Sequence, residues 1–394
     1  MSIYFSYALA LFNLTSMRAG RLLLALYALQ LGAQPFIVGL LTAMFSLLPM
    51  LLAIQAGKVA DRFGSRWPLM FGALGGACGM LVPFFVPTLP ALFVAAAMNG
   101  LSFAFYNVSL QNLVGLASTP QTRAVHFSNY ALVLAVTAFA GPMIAGFAID
   151  HGGHAIAFLL LVALSLGAFV ILAIWGGRLP KGTLVASAKN ASGHKEDTDR
   201  DKNKGVRETF QKLWPVLATS SLLTAGNDLF QFYMPIYGHG IGLSASTIGL
   251  ILAMFSAAAF VVRLVMPRLL AHMTQIRLLA YAFFLGAACI ALMPFFTNAI
   301  LLMLLAFTLG LGMGCGQPII MALTFGGGAK GRSGEALGLR VTANHLTHVI
   351  TPVVFGSVAS AFGLMPTFWL NALMLATGGV ITRLRNPGSD GRPK

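Results

Sequence analysis

The ionisable side chains that could do chemistry in this chain lie inside its apolar runs. Arg18 and Arg21 fall near the middle of an apolar run over residues 3–31, with Asn13 and Thr15 close by. Asp228 falls inside a second run, flanked by Asn227 and Gln231. A charge at the centre of a bilayer costs about 3 kcal/mol on insertion scales, so such a group should face a partner or water. Arg18 and Arg21 are three residues apart and share a helix face. Guanidinium groups hold carboxylates and phosphates through paired N–H donors, so anion binding is one chemistry these residues offer. The other reading is a structural ion pair with the second arginine hydrated. Asp228 is the sole acidic residue deep in an apolar run, because Asp150 lies at a run's end. It could partner an arginine or carry a proton. A polar stripe of Arg340, Asn344, Thr347, His348 and Thr351 recurs at helical spacing, with His345 at its edge. Histidine titrates near neutral pH, so His345 or His348 is either a proton carrier or a hydrogen-bonding group between helices.

The elements that must position these groups are apolar helices. Hydrophobic residues make up 57% of the 394-residue chain and charged residues 9%. The mean hydropathy is +0.82. A bilayer span takes about 20 apolar residues, since every backbone polar group must be satisfied within its own segment. Hydropathy and turn residues predict spans over 3–31, 36–56, 68–86, 90–116, 122–150, 155–176, 214–238, 246–270, 278–296, 299–325, 334–362 and 365–383. With these spans, all 25 Lys and Arg fall in loops of one side or inside helices, and none in a loop of the other side. Cytoplasmic loops hold the basic residues, so both termini are expected inside a bacterial inner membrane. The net charge of +15 is then a topology signal and does not imply a nucleic-acid partner. The first run is expected to stay in the mature protein, since no basic residue precedes Arg18.

Cys78, Cys289 and Cys315 sit in apolar stretches without a CxxC pair, which argues against a disulfide framework and against a zinc site. His345-x-x-His348 lacks a carboxylate nearby on its own helix and makes a poor metal site. No HExxH, GxSxG or acidic metal cluster points to an enzyme, and GGGAKGRSG at 326–334 lacks the P-loop order. No cofactor is expected.

Residues 178–213 break the pattern with a polar, mixed-charge stretch that includes HKEDTDRDKNK. Such a composition cannot build a core and reads as a solvated linker, with room for a short surface helix near 205–213. The linker divides the chain in half. A constant offset of 210 residues then pairs the halves without gaps: GLLTAMFS from Gly39 with GLILAMFS from Gly249, Tyr27 with Tyr237, Gly76 with Gly286, Gly100 with Gly310, Pro142 with Pro352, Gly146 with Gly356, Gly153 with Gly363. The organisation is a six-helix bundle over 1–177, a linker, a second bundle over 214–384, and a tail over 385–394. The same offset makes Arg18 equivalent to Asp228, Arg21 to Gln231 and Asn107 to Gln317.

Between the second and third runs the chain reads GKVADRFGSR. Gly57, Asp61, Arg62, Gly64 and Arg66 resemble the signature loop of the major facilitator superfamily. With the duplicated halves and the long central linker, the resemblance covers nearly the whole chain. It implies an all-α polytopic fold of twelve transmembrane helices in two pseudo-symmetric bundles, and a monomeric carrier working by alternating access. Asp61 would meet the start of the eleventh helix near Ser333 and Gly334, and basic residues such as Arg123, as a cytoplasmic latch. Pro267, Ala271 and His272 replace Gly57, Asp61 and Arg62 in the second half, so a latch of this type is one-sided. The first, fourth, seventh and tenth helices would line a cavity, with Arg18 and Asp228 facing each other near its floor. Gly141-Pro142 with Ala145-Gly146 resembles an element of proton-driven exporters, although Ala96 stands where that branch carries an arginine. The resemblance thus implies a proton-coupled transporter of a small organic solute in the lipid bilayer, anionic by the reading of Arg18 and Arg21, or alternatively an exporter of drugs and amphipathic compounds. The expected substrate contacts are Arg18, Arg21, Asp228, Gln231, Asn107, Gln317, Arg340, Asn344 and His348; the expected proton carriers are Asp228, His345 and His348.

Overall fold

A computed structural model describes residues 3–119, 122–176, 199–327 and 333–384. The chain is helical at almost every described position. The helices are α1 (Ile3–Gln30), α2 (Pro35–Phe63), α3 (Arg66–Phe85) and α4 (Leu89–Leu116). The next helical stretch, Arg123–Trp175, is two helices joined at Gly153, whose φ of 72° and ψ of 175° are not helical. The limb before Gly153 is α5 and the limb after it α6. Then come α7 (Asp199–Gly240), α8 (Ala245–His272), α9 (Gln275–Leu292), α10 (Ala299–Gly327), α11 (Ser333–Phe362) and α12 (Leu364–Leu384). Twelve helical limbs thus stand where twelve spans are expected. Ten helical segments are long and apolar enough to cross a membrane, with α5 and α6 taken together as one. The difference is α7, which starts in the charged stretch and carries Asn227, Asp228 and Gln231. Its helix begins at Asp199, so residues 199–213 of the expected linker are helical and continuous with the span. Residues 177–198, 328–332 and 385–394 lie outside the described part.

Two compact units form. The first takes in α1 to α6 together with Pro235–Ala253; the second takes in α7 up to Met234 and the chain from Met254 onward. In the first, α1 is buried along most of its length, and Leu9, Leu14 and Met17 pack with Leu69, Tyr106, Leu110 and Val114. Two polar side chains inside this unit are tied to backbone: Tyr106 Oη donates to Leu9 O at 2.8 Å, and Ser16 Oγ to Leu161 O at 2.8 Å. In the second unit, Tyr233, Phe283 and Phe368 are among the fully buried side chains.

The duplication is written in the backbone. At the end of α1 the amides of Leu31, Gly32 and Ala33 donate to Tyr27, Leu29 and Ala28. At the end of α7 those of Ile241, Gly242 and Leu243 donate to Tyr237, His239 and Gly238, the same three bonds 210 residues on. Gly32 and Gly242 both adopt φ 80°, the left-handed geometry that closes a helix and that a side chain would strain. Gly153 and Gly363 pair likewise, at 72° and 84°. Helix crossings repeat too. A Cβ on Gly100 would lie 2.9 Å from Phe45 O, and one on Gly310 2.3 Å from Phe255 O, so equivalent glycines let equivalent helices touch backbone to side-chain-free backbone.

Those crossings predict graded damage. Gly310→Ala drives a methyl into a carbonyl and is expected to cost about 1–3 kcal/mol, with Gly100→Ala costing less. Thermal unfolding of the detergent-solubilised protein reads the effect; unchanged melting in both variants would show that neither crossing is this close.

Candidate functional site

Each unit builds its own polar cluster. In the first, Arg18 and Arg21 are exposed on a helix where residues 13–17, 19–20 and 22–26 are buried. Both side chains thus lie on the less buried side of α1. The Arg21 guanidinium carbon lies 5.6 Å from the centre of the Phe45 ring, within cation–π range. Gly141 packs against α1 beside the first arginine: a Cβ there would meet Arg18 Cβ at 2.8 Å and Ala19 N at 3.1 Å, so α5 crosses α1 at the level of Arg18. The Gly141-Pro142 element thus has a packing role at the height of the first arginine. Tyr130 on α5 donates its hydroxyl to Asn107 Oδ1 of α4 at 3.3 Å. Asn107, read from the sequence as a site residue, is thus tied to α5 by a side chain outside the expected set.

In the second unit, α7, α10 and α11 are tied by side chains. Asp228 Oδ2 meets His348 Nδ1, an ion pair when the imidazole is protonated. Ser220 Oγ donates to Asn344 Oδ1 at 2.9 Å. Arg340 Nη1 donates to Gln317 Oε1 at 3.3 Å, and Gln317 Nε2 donates to Thr224 Oγ1 at 3.4 Å. Gln231 turns back to Asn227 Oδ1 at 3.4 Å on its own helix. His345 lies beside His348, their ring centres 6.3 Å apart. The carboxylate missing from α11 is therefore supplied to His348 by α7. Among the described residues no group of three or more His, Cys, Asp or Glu is placed to hold a metal ion.

Arg340 stands out within this cluster. The residue is 8% exposed, yet among the described residues its Nε has no hydrogen-bond partner. A buried guanidinium N–H without an acceptor is costly, so the position is set up to receive one. Arg340 is the 210-residue counterpart of Tyr130, as Gln317 is of Asn107. The same pair of positions on equivalent helices makes a neutral Tyr–Asn bond in one bundle and a cationic Arg–Gln bond in the other. Ser220 and Thr224, which the sequence reading passed over, lie eight and four residues before Asp228 on one face of α7; that spacing was the available signal.

The loop motif is described in part. The side chains of Gly57, Asp61, Arg62 and Arg123 lie outside the described residues, and so do the contacts expected of them. Gly64 ends α2 with φ 77°, which gives the motif's second glycine a backbone reason. Arg66 lies over the Trp67 ring at 5.9 Å, and its Nε would be 3.1 Å from a Cβ on Gly176 at the end of α6.

A duplicated, all-helical chain with apolar spans and polar clusters on its inner helices is a membrane carrier in form. It belongs to the Major Facilitator Superfamily, whose family model matches residues 3–347. It is accordingly a transport protein and not an enzyme. An uncharacterized MFS-type transporter of Methanocaldococcus jannaschii is 22% identical over 374 residues, covering 92% of each chain. The tetracycline resistance protein, class B, of Escherichia coli is 27% identical over 137 residues, 35% of this chain and 34% of that one. A crystal structure of a peptide transporter POT superposes with a TM-score of 0.80 at 16% identity, covering 98% of this chain and 94% of that one, which shows a shared fold.

The Asp228–His348 contact predicts coupled losses. Asp228→Ala is expected to destabilise the protein by about 1.5–3 kcal/mol, the range of a hydrogen bond to a charged group. His348→Ala in that background should add far less than it does alone. Melting temperatures of the two single variants and the double variant test this, and strictly additive losses would mean the two side chains do not interact.

Proposed function

We propose that the protein is a proton-coupled secondary transporter of a small organic anion, working by alternating access in the bacterial inner membrane with both termini cytoplasmic. Arg340 carries this reading: a buried guanidinium with an unused N–H is matched to a carboxylate or phosphate oxygen. Arg18 and Arg21, two cationic side chains exposed on α1, support it, with Asn107, Gln231, Gln317 and Asn344 as polar contacts. The Asp228–His348 pair, with His345 beside it, is the proton carrier in this account, since a carboxylate and an imidazole in contact exchange protons between neutral and charged forms. Gly57, Asp61, Arg62, Gly64, Arg66 and Arg123 act as the cytoplasmic gate. Small solute, protons and bilayer are the partners, and the working unit is a monomer.

A second reading has its own support. The Escherichia coli relative is a tetracycline resistance protein, and Gly141-Pro142 is shared with the exporter pattern, so export of amphipathic compounds is the competing function. Against it, Ala96 is fully buried at the place where that branch carries an arginine.

Proteoliposomes with an imposed pH gradient, offered carboxylates, phosphates and cationic dyes, separate the two. Gradient-driven movement of an organic acid is expected, with Arg340→Ala lowering its apparent affinity about tenfold or more, the worth of one charge-assisted hydrogen bond. Movement of cationic dyes alone, unaffected by Arg340→Ala or by the paired change Arg18→Ala and Arg21→Ala, would favour the exporter.

A further inference from the structure

Asp150 does something that neither the signature loop nor the polar clusters require. The first four amides of a helix have no partner inside it. At the start of α8 side chains meet three of them, and the first regular helix bond follows at Ile248. Thr247 N donates to Ser244 Oγ at 3.3 Å and Ile248 N to Ser244 O at 3.1 Å. The remaining two go to the end of α5: Ala245 N donates to Asp150 Oδ1 at 3.0 Å and Ser246 N to Asp150 Oδ2 at 2.8 Å. One carboxylate closes both, at the positive end of the helix dipole. These residues belong to one compact unit, because Pro235–Ala253 packs with α1 to α6.

Two close backbone approaches point to the same junction. A Cβ on Gly146 would stand 2.3 Å from Ala245 O, and one on Gly249 2.4 Å from Pro142 O. Glycines on both helices are thus needed for α5 and α8 to lie in contact just below the carboxylate. The counterpart of Ala245 in the first repeat is Pro35, the first residue of α2. Proline has no N–H to offer, and α2 has no side-chain cap. The first of the two amides that Asp150 closes therefore has no equivalent at the start of α2.

We propose that Asp150 is a latch that holds the start of α8, an element of the second repeat, onto α5 of the first. It lies on the side of the membrane opposite the Gly57–Arg66 loop, by the alternation of the helices. A carrier that rocks must release this contact to open that side, so Asp150 is a positioning residue for the transport cycle. Its recognition chemistry is a carboxylate closing two backbone amides, and the glycine approaches set the distance at which it can do so.

Hydrogen–deuterium exchange on the full-length protein in nanodiscs tests this without a substrate. Asp150→Ala is expected to speed exchange in the 243–250 segment about five- to tenfold, the effect of losing a helix cap, while segments in α9 and α10 stay unchanged. Gly146→Ala should speed the same segment by pushing Ala245 away. Asp150→Asn, which keeps a neutral acceptor, should do so less, and serves if the alanine variant fails to fold. An Ile248→Cys reporter, buried in the parent protein, should react faster with a membrane-impermeant maleimide in the Asp150→Ala background. Unchanged exchange and unchanged labelling in the Asp150 variants, with Gly146→Ala still effective, would overturn the latch and leave packing alone as the tie. Because neither readout involves a solute, this outcome is separate from failure of the anion reading.

Discussion

An ionised group inside an apolar helix needs a polar partner or water, and Asp228 shows how this chain meets that need. Its carboxylate sits on α7, and His348 of α11 meets it. That contact ties α7 to α11, and the hydrogen bonds of Ser220 with Asn344, of Gln317 with Thr224 and of Arg340 with Gln317 are consistent with the same facing. In the first bundle the equivalent position holds Arg18, beside which α5 crosses α1 at Gly141. Duplication has supplied one scaffold twice, and the charges have diverged on it.

The divergence gives each bundle a chemistry of its own. Tyr130 with Asn107 and Arg340 with Gln317 occupy matching places, but the first pair is neutral and satisfied while the second keeps an unused guanidinium N–H. The helix starts diverge likewise: Pro35 needs no cap, whereas Ala245 takes one from Asp150. Neither difference alters the packing frame, since Gly100 and Gly310, or Gly32 and Gly242, keep the same backbone roles in both copies.

Much of the frame was legible in the sequence because glycine and proline positions are backbone requirements, and the fixed offset preserves them without gaps. Gly153 shows this well, as the break between two apolar runs that the structure joins into one helical stretch. The charged residues of the site were legible for the same reason that they are costly. Their partners were not. Pairing Asp228 with His348 depends on how two helices distant in sequence are rotated about their axes, and a stripe of every-fourth residues on each gives the face but not the match. The extent of α7 was missed too, since a polar, mixed-charge stretch does not announce that residues 199–213 continue a helix. Asp150 looked like an ordinary residue at a span's end because its partners are backbone amides, which leave no mark in composition.

The most direct test of the account is ligand-induced stabilisation of the purified protein. A ligand that binds the folded state raises its melting temperature in proportion to occupancy. Screened against organic carboxylates, phosphates and cationic amphiphiles, the wild-type protein should be stabilised by at least one carboxylate or phosphate, and Arg340→Gln should not respond to that compound. Stabilisation by cationic compounds alone, or an equal response of Arg340→Gln to the acid, would contradict an anion site built on Arg340.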